Sequence, residues 1–331
     1  MKILVTGGAG YIGSHMVKML VNSGHDVIIL DNLSTGFREL AIYGELVVGD
    51  LANESLLDDL FSKHHFDGVM HFVAASLVGE SMTNPAKYYR NNVSNTINLL
   101  DAMVKHNVKS LVFSSSAAVY GEPNNDLIDE SHAKSPINPY GSTKLMIERI
   151  LYDCASSYRL NSVSLRYFNA CGADPGGELG ECHDPETHLI PLILQAASGR
   201  RESITVFGRD YATNDGTCVR DYIHINDLCT AHALALDKLT NSNDAGALSY
   251  NLGNSSGFSV QQVIDVVQTV VSKDGRSVTV EDGERRAGDP AVLVADATKA
   301  KVELGWQPEY DDLETIVKHA WAWEKKLAKI G

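Results

Sequence analysis

The chain has too few basic residues for a protein that binds nucleic acid or an anionic membrane. Its 331 residues include 28 Lys and Arg against 42 Asp and Glu, so the formal net charge is −14. Attraction to a phosphate polymer or an anionic surface requires the opposite sign of charge. We therefore expect no nucleic acid and no membrane as partners, and a small phosphate ligand must be held by locally placed Arg, Lys or helix N-termini.

A disulfide framework, a membrane span and a signal peptide are also missing. The five cysteines are odd in number and scattered, without a C-x-x-C pair. No apolar run reaches the length of a membrane span, and the N-terminal MKILVTGGAG does not resemble a signal peptide. His64 and His65 are adjacent on a polar helix, and no cluster has metal-ligand spacing, so no metal site is expected. These absences favour a cytoplasmic protein.

The first half of the chain alternates short apolar runs with longer amphipathic stretches. The pattern predicts strands over 2–6, 26–30, 45–49, 68–72, 110–114 and 161–166. It predicts helices over 11–23, 54–64, 85–106 and 139–158. Such alternation is typical of βαβ units, and we predict an α/β fold with a Rossmann-type doubly wound parallel sheet.

The pattern loosens after residue 169. Residues 170–188, ACGADPGGELGECHDPETH, are rich in Gly, Pro, Asp and His, which predicts a long functional loop. Helices are predicted over 189–198, 225–238, 260–271 and 311–326, with short strands between them. We predict a first domain over 1–169, rejoined by a segment near 215–240, and a smaller C-terminal α/β substrate domain over 170–331.

The first predicted strand runs directly into GGAGYIG, residues 7–13, and then into a helix. Its glycines satisfy G-x-G-x-x-G, the spacing that lets the backbone approach a pyrophosphate at a helix N-terminus. Asp31 ends the second strand, where a carboxylate accepts the ribose hydroxyls of adenosine. Because no Arg follows before Arg38, a 2′-phosphate would be repelled, and NAD is favoured over NADP.

Asp50 follows the third strand and has two interpretations. It lies where an adenine amino group could be bound, and it could equally cap the next helix. The sequence leaves both open.

Tyr140 and Lys144 are four residues apart on a predicted helix, so they share one face. Tyrosine is a poor base at its ordinary pKa of roughly 10, but a neighbouring ammonium and a positive nicotinamide both favour the phenolate. Three serines, residues 114–116, end a buried strand at the edge where ligands bind, and a hydroxyl there can share a proton with the tyrosine. The alternatives are a chance Y-x-x-x-K spacing and serines chosen for packing.

With GGAGYIG, Asp31, SSSAAVYG and PYGSTK in this order, the sequence resembles the extended short-chain dehydrogenase/reductase family. HFVAASLVGES at 71–81, RYFNACGADP at 166–175, DGTCVRDYIHINDL at 215–228 and ERRAGDPAVLVAD at 284–296 narrow the resemblance to the UDP-glucose 4-epimerases. The match spans nearly the whole chain. It implies interconversion of UDP-galactose and UDP-glucose in galactose metabolism, by transient oxidation at sugar C4 with tightly bound NAD, rotation of the 4-ketose and return of the hydride.

The resemblance also implies roles for individual residues. The family's base falls on Tyr140, with Lys144 lowering its pKa and Ser116 sharing the proton. Positions that contact NAD fall on Gly7, Gly10, Tyr11, Ile12, Gly13, Asp31, Asn32, Asp50, Leu51, Phe72, Ala74, Asn91, Tyr140, Lys144 and Phe168. Positions that contact the UDP-hexose fall on Ser116, Asn169, Leu189, Phe207, Arg220, Arg286, Asp289 and Leu293. Arg220 and Arg286 suit a pyrophosphate clamp, although surface salt bridges would explain them too.

Two positions depart from some family members. Ser76 stands where some epimerases have a cofactor-side lysine, which weakens that contact with NAD. Leu293 stands where some relatives have tyrosine, so there is more room for an N-acetylated sugar.

The resemblance implies a homodimer through the helices over 85–106 and 139–158. The alternative functions are a related NAD-dependent 4-epimerase of UDP-N-acetylhexosamine or UDP-glucuronate, and a non-catalytic dinucleotide-sensing module.

Overall fold

The computed structural model describes residues 1–330 except 124, 126, 242–245 and 286–288. The strands are β1 Lys2–Thr6, β2 Asp26–Asp31, β3 Glu45–Val48, β4 Gly68–His71, β5 Ser110–Ser116, β6 Leu127–Ile128, β7 Asn161–Tyr167, β8 Asn169–Cys171, β9 Ile204–Phe207, β10 Val219–Arg220, β11 Tyr222–His224, β12 Ala247–Leu252, β13 Phe258–Ser259, β14 Val280–Gly283 and β15 Val292–Ala295. The helices are α1 Tyr11–Asn22, α2 Glu54–Lys63, α3 Val78–Thr83, α4 Pro85–Tyr88, α5 Asn95–Lys105, α6 Pro139–Tyr158, α7 Leu189–Ser198, α8 Ile225–Asn241, α9 Val260–Ser272, α10 Thr298–Glu303 and α11 Leu313–Ala328.

Seven strands form the main sheet, in the order β12-β7-β5-β4-β1-β2-β3, and neighbouring strands run parallel. The interior strand β1 is buried on both faces. Ile3 and Val5 pack into a core with α1 and α8, whereas Leu4 packs into a second core with α2, α5 and α6. This division follows from the two-residue period of a strand. The predicted α/β doubly wound fold is confirmed.

Two parts of the main sheet differ from the sequence prediction. Its seventh strand, β12, comes from residues 247–252, far beyond the last strand predicted for it. The predicted helix over 85–106 is not continuous, because a π-helical turn over Tyr89–Ser94 separates α4 from α5. Such turns displace side chains by one position and occur often at functional sites.

The remaining strands form smaller sheets, and β8, β9 and β11 contribute side chains to a third core. One sheet has the order β13-β10-β15-β6, and two pairs are formed by β11 with β8 and by β14 with β9. Helices α7, α9 and α11 enclose the core between them. The division into domains at residue 169 stays a prediction.

None of the described helices combines the length and apolar character that a membrane crossing requires.

Candidate active site

The glycine loop between β1 and α1 brings backbone close to backbone. Gly7 has φ +77°, and a Cβ there would lie 2.9 Å from the backbone nitrogen of Val73. A Cβ on Gly13 would lie 2.1 Å from the carbonyl oxygen of Gly7. Helix α1 begins after Gly10, and no side chain caps it. The first N–H groups of α1 therefore have no side-chain acceptor, and they suit the phosphates of a dinucleotide.

The end of β2 supplies the carboxylate predicted to bind ribose. Asp31 is buried, and it accepts hydrogen bonds from the backbone N–H of Ala9 at 3.0 Å and of Leu33 at 2.8 Å. Asn32, the next residue, donates to Asp50 at 2.6 Å, which links two polar residues of the predicted adenosine site. The cap of α2 is Asn53, not Asp50, which removes the capping interpretation of Asp50.

The segment after β4 carries the predicted NAD positions Phe72 and Ala74, and it is held by one buried amide. Asn92, in the π-helical turn, accepts from the N–H of Ala75 at 2.8 Å and donates to its carbonyl at 3.0 Å. It also donates to Thr143 on α6 at 3.0 Å. Asn91 lies beside it and donates to it. Asn92 is a positioning residue that sequence reasoning missed, because its role depends on the π turn.

The side chains of the three serines at the end of β5 have three different partners. The hydroxyl of Ser114 bonds to that of Tyr167, and Ser115 donates to Glu148 at 2.7 Å. Ser116 accepts the N–H of Ala118 at 3.2 Å and acts to lower the pKa of Tyr140.

Helix α6 places Tyr140, Lys144 and Glu148 along one face, at intervals of four residues. The ammonium group of Lys144 donates to the carbonyl of Ser114 at 2.7 Å and lies 5.8 Å from the ring centroid of Tyr140. Glu148 forms a buried salt bridge with Arg166 on β7 at 2.6 Å. The helix is thereby fixed to β5 and β7. Glu148 is a second positioning residue that sequence reasoning missed, although its spacing from Lys144 could have indicated it.

Burial dominates the electrostatics of this group. It raises the pKa of Tyr140, and the hydrogen bond with Ser116 acts in the opposite direction. It lowers the pKa of Lys144 to about 7, although Glu148 acts to raise it. Lys144 therefore changes its charge near neutral pH. Because burial raises the pKa of Tyr140, formation of its phenolate requires additional positive charge nearby.

Phe168, predicted to contact NAD, and Leu293, predicted to contact the UDP-hexose, lie against one small core. Both pack, together with Leu145 of α6, against a small core of Val119 and Tyr120 with Ile128. Leu293 pairs with Arg220 in the register of β10 and β15. The next residue after Phe168, Asn169, donates its side-chain amide to the carbonyl of Asp221 at 2.7 Å.

Arg220 lies next in the chain to Asp221 and forms a salt bridge with Asp289. It also donates to the carbonyl of Val219 at 2.7 Å. Leu189 and Phe207 lie at the start of α7 and the end of β9, two elements of the third core. Arg286 lies outside the described residues.

The other predicted cofactor positions surround the glycine loop. Tyr11 is buried and donates to the carbonyl of Gly172 at 2.7 Å, which ties α1 to the loop over 170–188. Ile12 packs against the first core, and Leu51 is buried in the second. Ser76 is exposed.

Comparison with known proteins places this geometry in context. The model of the NAD dependent epimerase/dehydratase family matches residues 3–253. The chain is 52% identical over 326 residues to a UDP-glucose 4-epimerase of Halalkalibacterium halodurans, covering 98% of this chain and 96% of that one. A UDP-glucose 4-epimerase of Brucella ovis, solved with NAD, superposes with a TM-score of 0.93 at 48% identity and 97% coverage of both chains. The Bifidobacterium longum enzyme, solved with NAD⁺ and UDP, gives 0.91 at 38% identity and 98% coverage of both.

Proposed function

The chain belongs to the NAD dependent epimerase/dehydratase family, and from this premise we propose that it is a UDP-glucose 4-epimerase. It is an isomerase that interconverts UDP-galactose and UDP-glucose with NAD as its cofactor. The observation that carries the proposal is that α6 holds Tyr140 and Lys144 against the end of β5 at Ser116, in the same parallel sheet whose strand β1 ends in the glycine loop.

The residues present fit NAD. The space that a Cβ on Gly7 or Gly13 would fill lets the backbone approach a pyrophosphate, and the uncapped start of α1 faces its charge. Asp31 and Asn32 would hold the adenosine ribose, with Asp50 and Leu51 beside the adenine. Phe72, Ala74, Asn91 and Phe168 would surround the nicotinamide half. When bound, NAD supplies the electron acceptor and donor for transient oxidation at sugar C4.

Tyr140 acts as base and then as acid at the C4 hydroxyl. Ser116 orients that hydroxyl and shares its proton, while Lys144 provides positive charge that favours the phenolate and would hold the nicotinamide ribose. Burial raises the pKa of Tyr140, so its phenolate needs positive charge nearby. Lys144 supplies part of that charge, and the positive nicotinamide ring of bound NAD would supply more.

A second group of residues holds the nucleotide so that the sugar can turn. Arg220 and Arg286 bind the pyrophosphate, and Asp289 positions Arg220 through their salt bridge. Asn169, Leu189 and Phe207 contact the UDP part, and Leu293 borders the sugar. UDP must be bound firmly and the hexose loosely, because the 4-ketose must turn to receive the hydride on its opposite face.

The first test is incubation of the purified protein with UDP-galactose without added cofactor, followed by NMR of the anomeric protons. We expect conversion to a mixture rich in UDP-glucose. No conversion, even after NAD is added, would refute the proposal, and turnover of UDP-N-acetylhexosamine or UDP-glucuronate alone would support the related 4-epimerases instead.

We also propose that the protein is a homodimer. Helices α5 and α6 expose large apolar side chains, which supports an interface there. These are Ile97, Val104, Met146 and Tyr152. Light scattering after gel filtration should give twice the chain mass, and replacing Ile97 and Met146 by Lys should give the mass of one chain.

A further inference from the structure

The loop between β8 and α7 gathers four potential metal ligands that the proposed reaction does not use. They are Glu181, His183, Glu186 and His188, which lie within eight residues, although the sequence predicts no metal site there. One ligand atom from each lies within 4.8 Å of all the others. We propose that these four side chains form a structural site for a divalent transition-metal ion, with Zn²⁺ as the ion that fits.

The distances suit a tetrahedral ion. Oε1 of Glu181 lies 2.8 Å from Nδ1 of His183 and 2.8 Å from Nδ1 of His188. Glu186 lies 2.9 Å from His188 through Oε1 and 3.9 Å from His183 through Oε2. Metal–ligand bonds of about 2.0–2.1 Å imply tetrahedral edges of about 3.3–3.4 Å. The measured separations lie on both sides of that value, and the four ligand atoms lie within 4.8 Å of one another, so the side chains must draw together to form the tetrahedron.

Charge and burial favour a cation here. The side chains of Glu181 and Glu186 are 6% and 5% exposed, so two carboxylates lie close together away from water. Within the described part of the chain, neither forms a salt bridge with Lys or Arg, and their ion-pair partners are the two histidines. Buried carboxylates need a compensating cation, and a protonated histidine supplies it when no metal is bound. A divalent ion bound by neutral imidazoles would balance both charges.

The donor types select the metal. Two imidazole nitrogens with two carboxylate oxygens suit Zn²⁺, whereas Ca²⁺ and Mg²⁺ prefer sites with six or more oxygen ligands. Four protein ligands also fill a tetrahedral shell, which is typical of a structural site and not of a catalytic one.

The position of the cluster indicates what the ion would stabilise. The ring of His183 lies against that of Tyr11, 6.1 Å between centroids, at the start of α1. The main-chain carbonyl of Glu181 accepts the indole N–H of Trp323 on α11 at 2.9 Å. His188 immediately precedes Leu189, the first residue of α7. An ion held here would fix the loop between the dinucleotide-binding helix and the C-terminal helix.

Metal content tests the proposal directly. The full chain, purified without a histidine tag, is stripped with a chelator, equilibrated with Zn²⁺, freed of excess by gel filtration and analysed by mass spectrometry for zinc. We expect about one zinc per chain and a higher midpoint of thermal unfolding than in the stripped protein. His183→Gln and His188→Gln should weaken zinc binding about 100-fold or more, since loss of an outer-shell partner alone costs 10–100-fold.

Two matched variants should keep the zinc. His65→Gln removes an exposed histidine that lies outside residues 181–188. Cys182→Ser removes the free thiol that lies within those residues. Retention of zinc by the two glutamine variants, or no zinc in the wild-type chain, would overturn the proposal and leave a hydrogen-bonded Glu–His network. Loss of zinc in Cys182→Ser would place the ion on the thiol, which also overturns it.

A spectroscopic variant separates ligation from loss of folding. In His188→Cys the new thiolate can still bind a metal, so Co²⁺ should give a thiolate-to-cobalt charge-transfer band that the wild-type protein lacks. His65→Cys should give no such band. Absence of the band in folded His188→Cys would rule out direct ligation at position 188.

Discussion

Replacing Tyr140 by Phe removes one hydroxyl and leaves the ring of the proposed base in place. Proton transfer by a positioned side chain contributes typically 10²–10⁴-fold to a rate. We therefore expect kcat for UDP-galactose to fall by about 10² to 10⁴, which corresponds to about 3–5 kcal/mol of activation free energy. The loss should be in kcat, because the proton moves only during the chemical step.

The structure predicts that folding is little affected by this change. The side chain that acts to lower the pKa of Tyr140 is Ser116, which accepts the backbone N–H of Ala118 at 3.2 Å. Ser116 thus keeps a partner when the phenol is gone. One hydrogen bond contributes about 1 kcal/mol, so the free energy of unfolding should change by about that amount or less.

The assay combines NMR turnover of UDP-galactose with calorimetric binding of UDP and measurement of NAD content. Tyr167→Phe is the matched control, because Tyr167 is also buried and also bonds to a serine of the same run, Ser114. Its kcat should stay within about tenfold of wild type. Equal losses of kcat in the two variants, or a loss of UDP and NAD binding as large as the loss of kcat in Tyr140→Phe, would refute the role of Tyr140 as base.

Three further predictions follow from the geometry of other sites. Gly13→Ala places a methyl group 2.1 Å from the carbonyl oxygen of Gly7, so NAD content after purification should fall at least about tenfold, whereas Gly79→Ala, with open space around it, should retain NAD. Arg220→Gln should raise the Kd for UDP about 10- to 150-fold, the value of a hydrogen bond to a charged group, with kcat changed less than about tenfold; an unchanged Kd would remove Arg220 from the clamp. His71 has a pKa of about 3 because of burial, so between that pH and about 6.5 the unfolded chain binds a proton that the folded protein does not. Its contribution to stability is complete above pH 6.5 and decreases as the pH falls, and by pH 5 about 2 kcal/mol is lost. Between pH 7 and pH 5 the free energy of unfolding should therefore fall by about 2 kcal/mol less in His71→Gln than in the wild type. Denaturant titrations at both pH values measure this difference, and equal falls in the two proteins would contradict the assignment.

The elements of the main sheet could be read from the sequence where local patterns were unambiguous. The apolar runs around Ile3 and Ile28 predict strands buried on both faces, and their cores lie on opposite sides of the sheet as such runs require. The helix Pro139–Tyr158 begins and ends where predicted, since Asn138 caps it through the N–H of Gly141 at 2.8 Å. The glycine loop was equally predictable from the spacing of its glycines, although only the close approach of Gly13 to Gly7 is local and Gly7 itself approaches Val73.

The sequence failed where a residue's role depends on a distant partner. Strand β12 joins the sheet by pairing with β7, more than eighty positions earlier in the chain, and no local pattern reports such a pairing. The π turn between α4 and α5 contains Asn92, whose amide bonds to the distant residues Ala75 and Thr143. The contacts of Glu148 with Ser115 and Arg166 likewise cross three elements.

By itself, the sequence determined the doubly wound α/β class, the glycine loop, and the types and spacing of the residues proposed for catalysis. These depend on side-chain periodicity and on the sterics of neighbouring residues, which are local. Only the tertiary structure decided the seventh strand, the way α6 is fixed to β5 and β7, and the gathering of Glu181, His183, Glu186 and His188 around one point. Those features arise from distances between side chains after the chain has folded, and such distances are set by packing and not by sequence spacing.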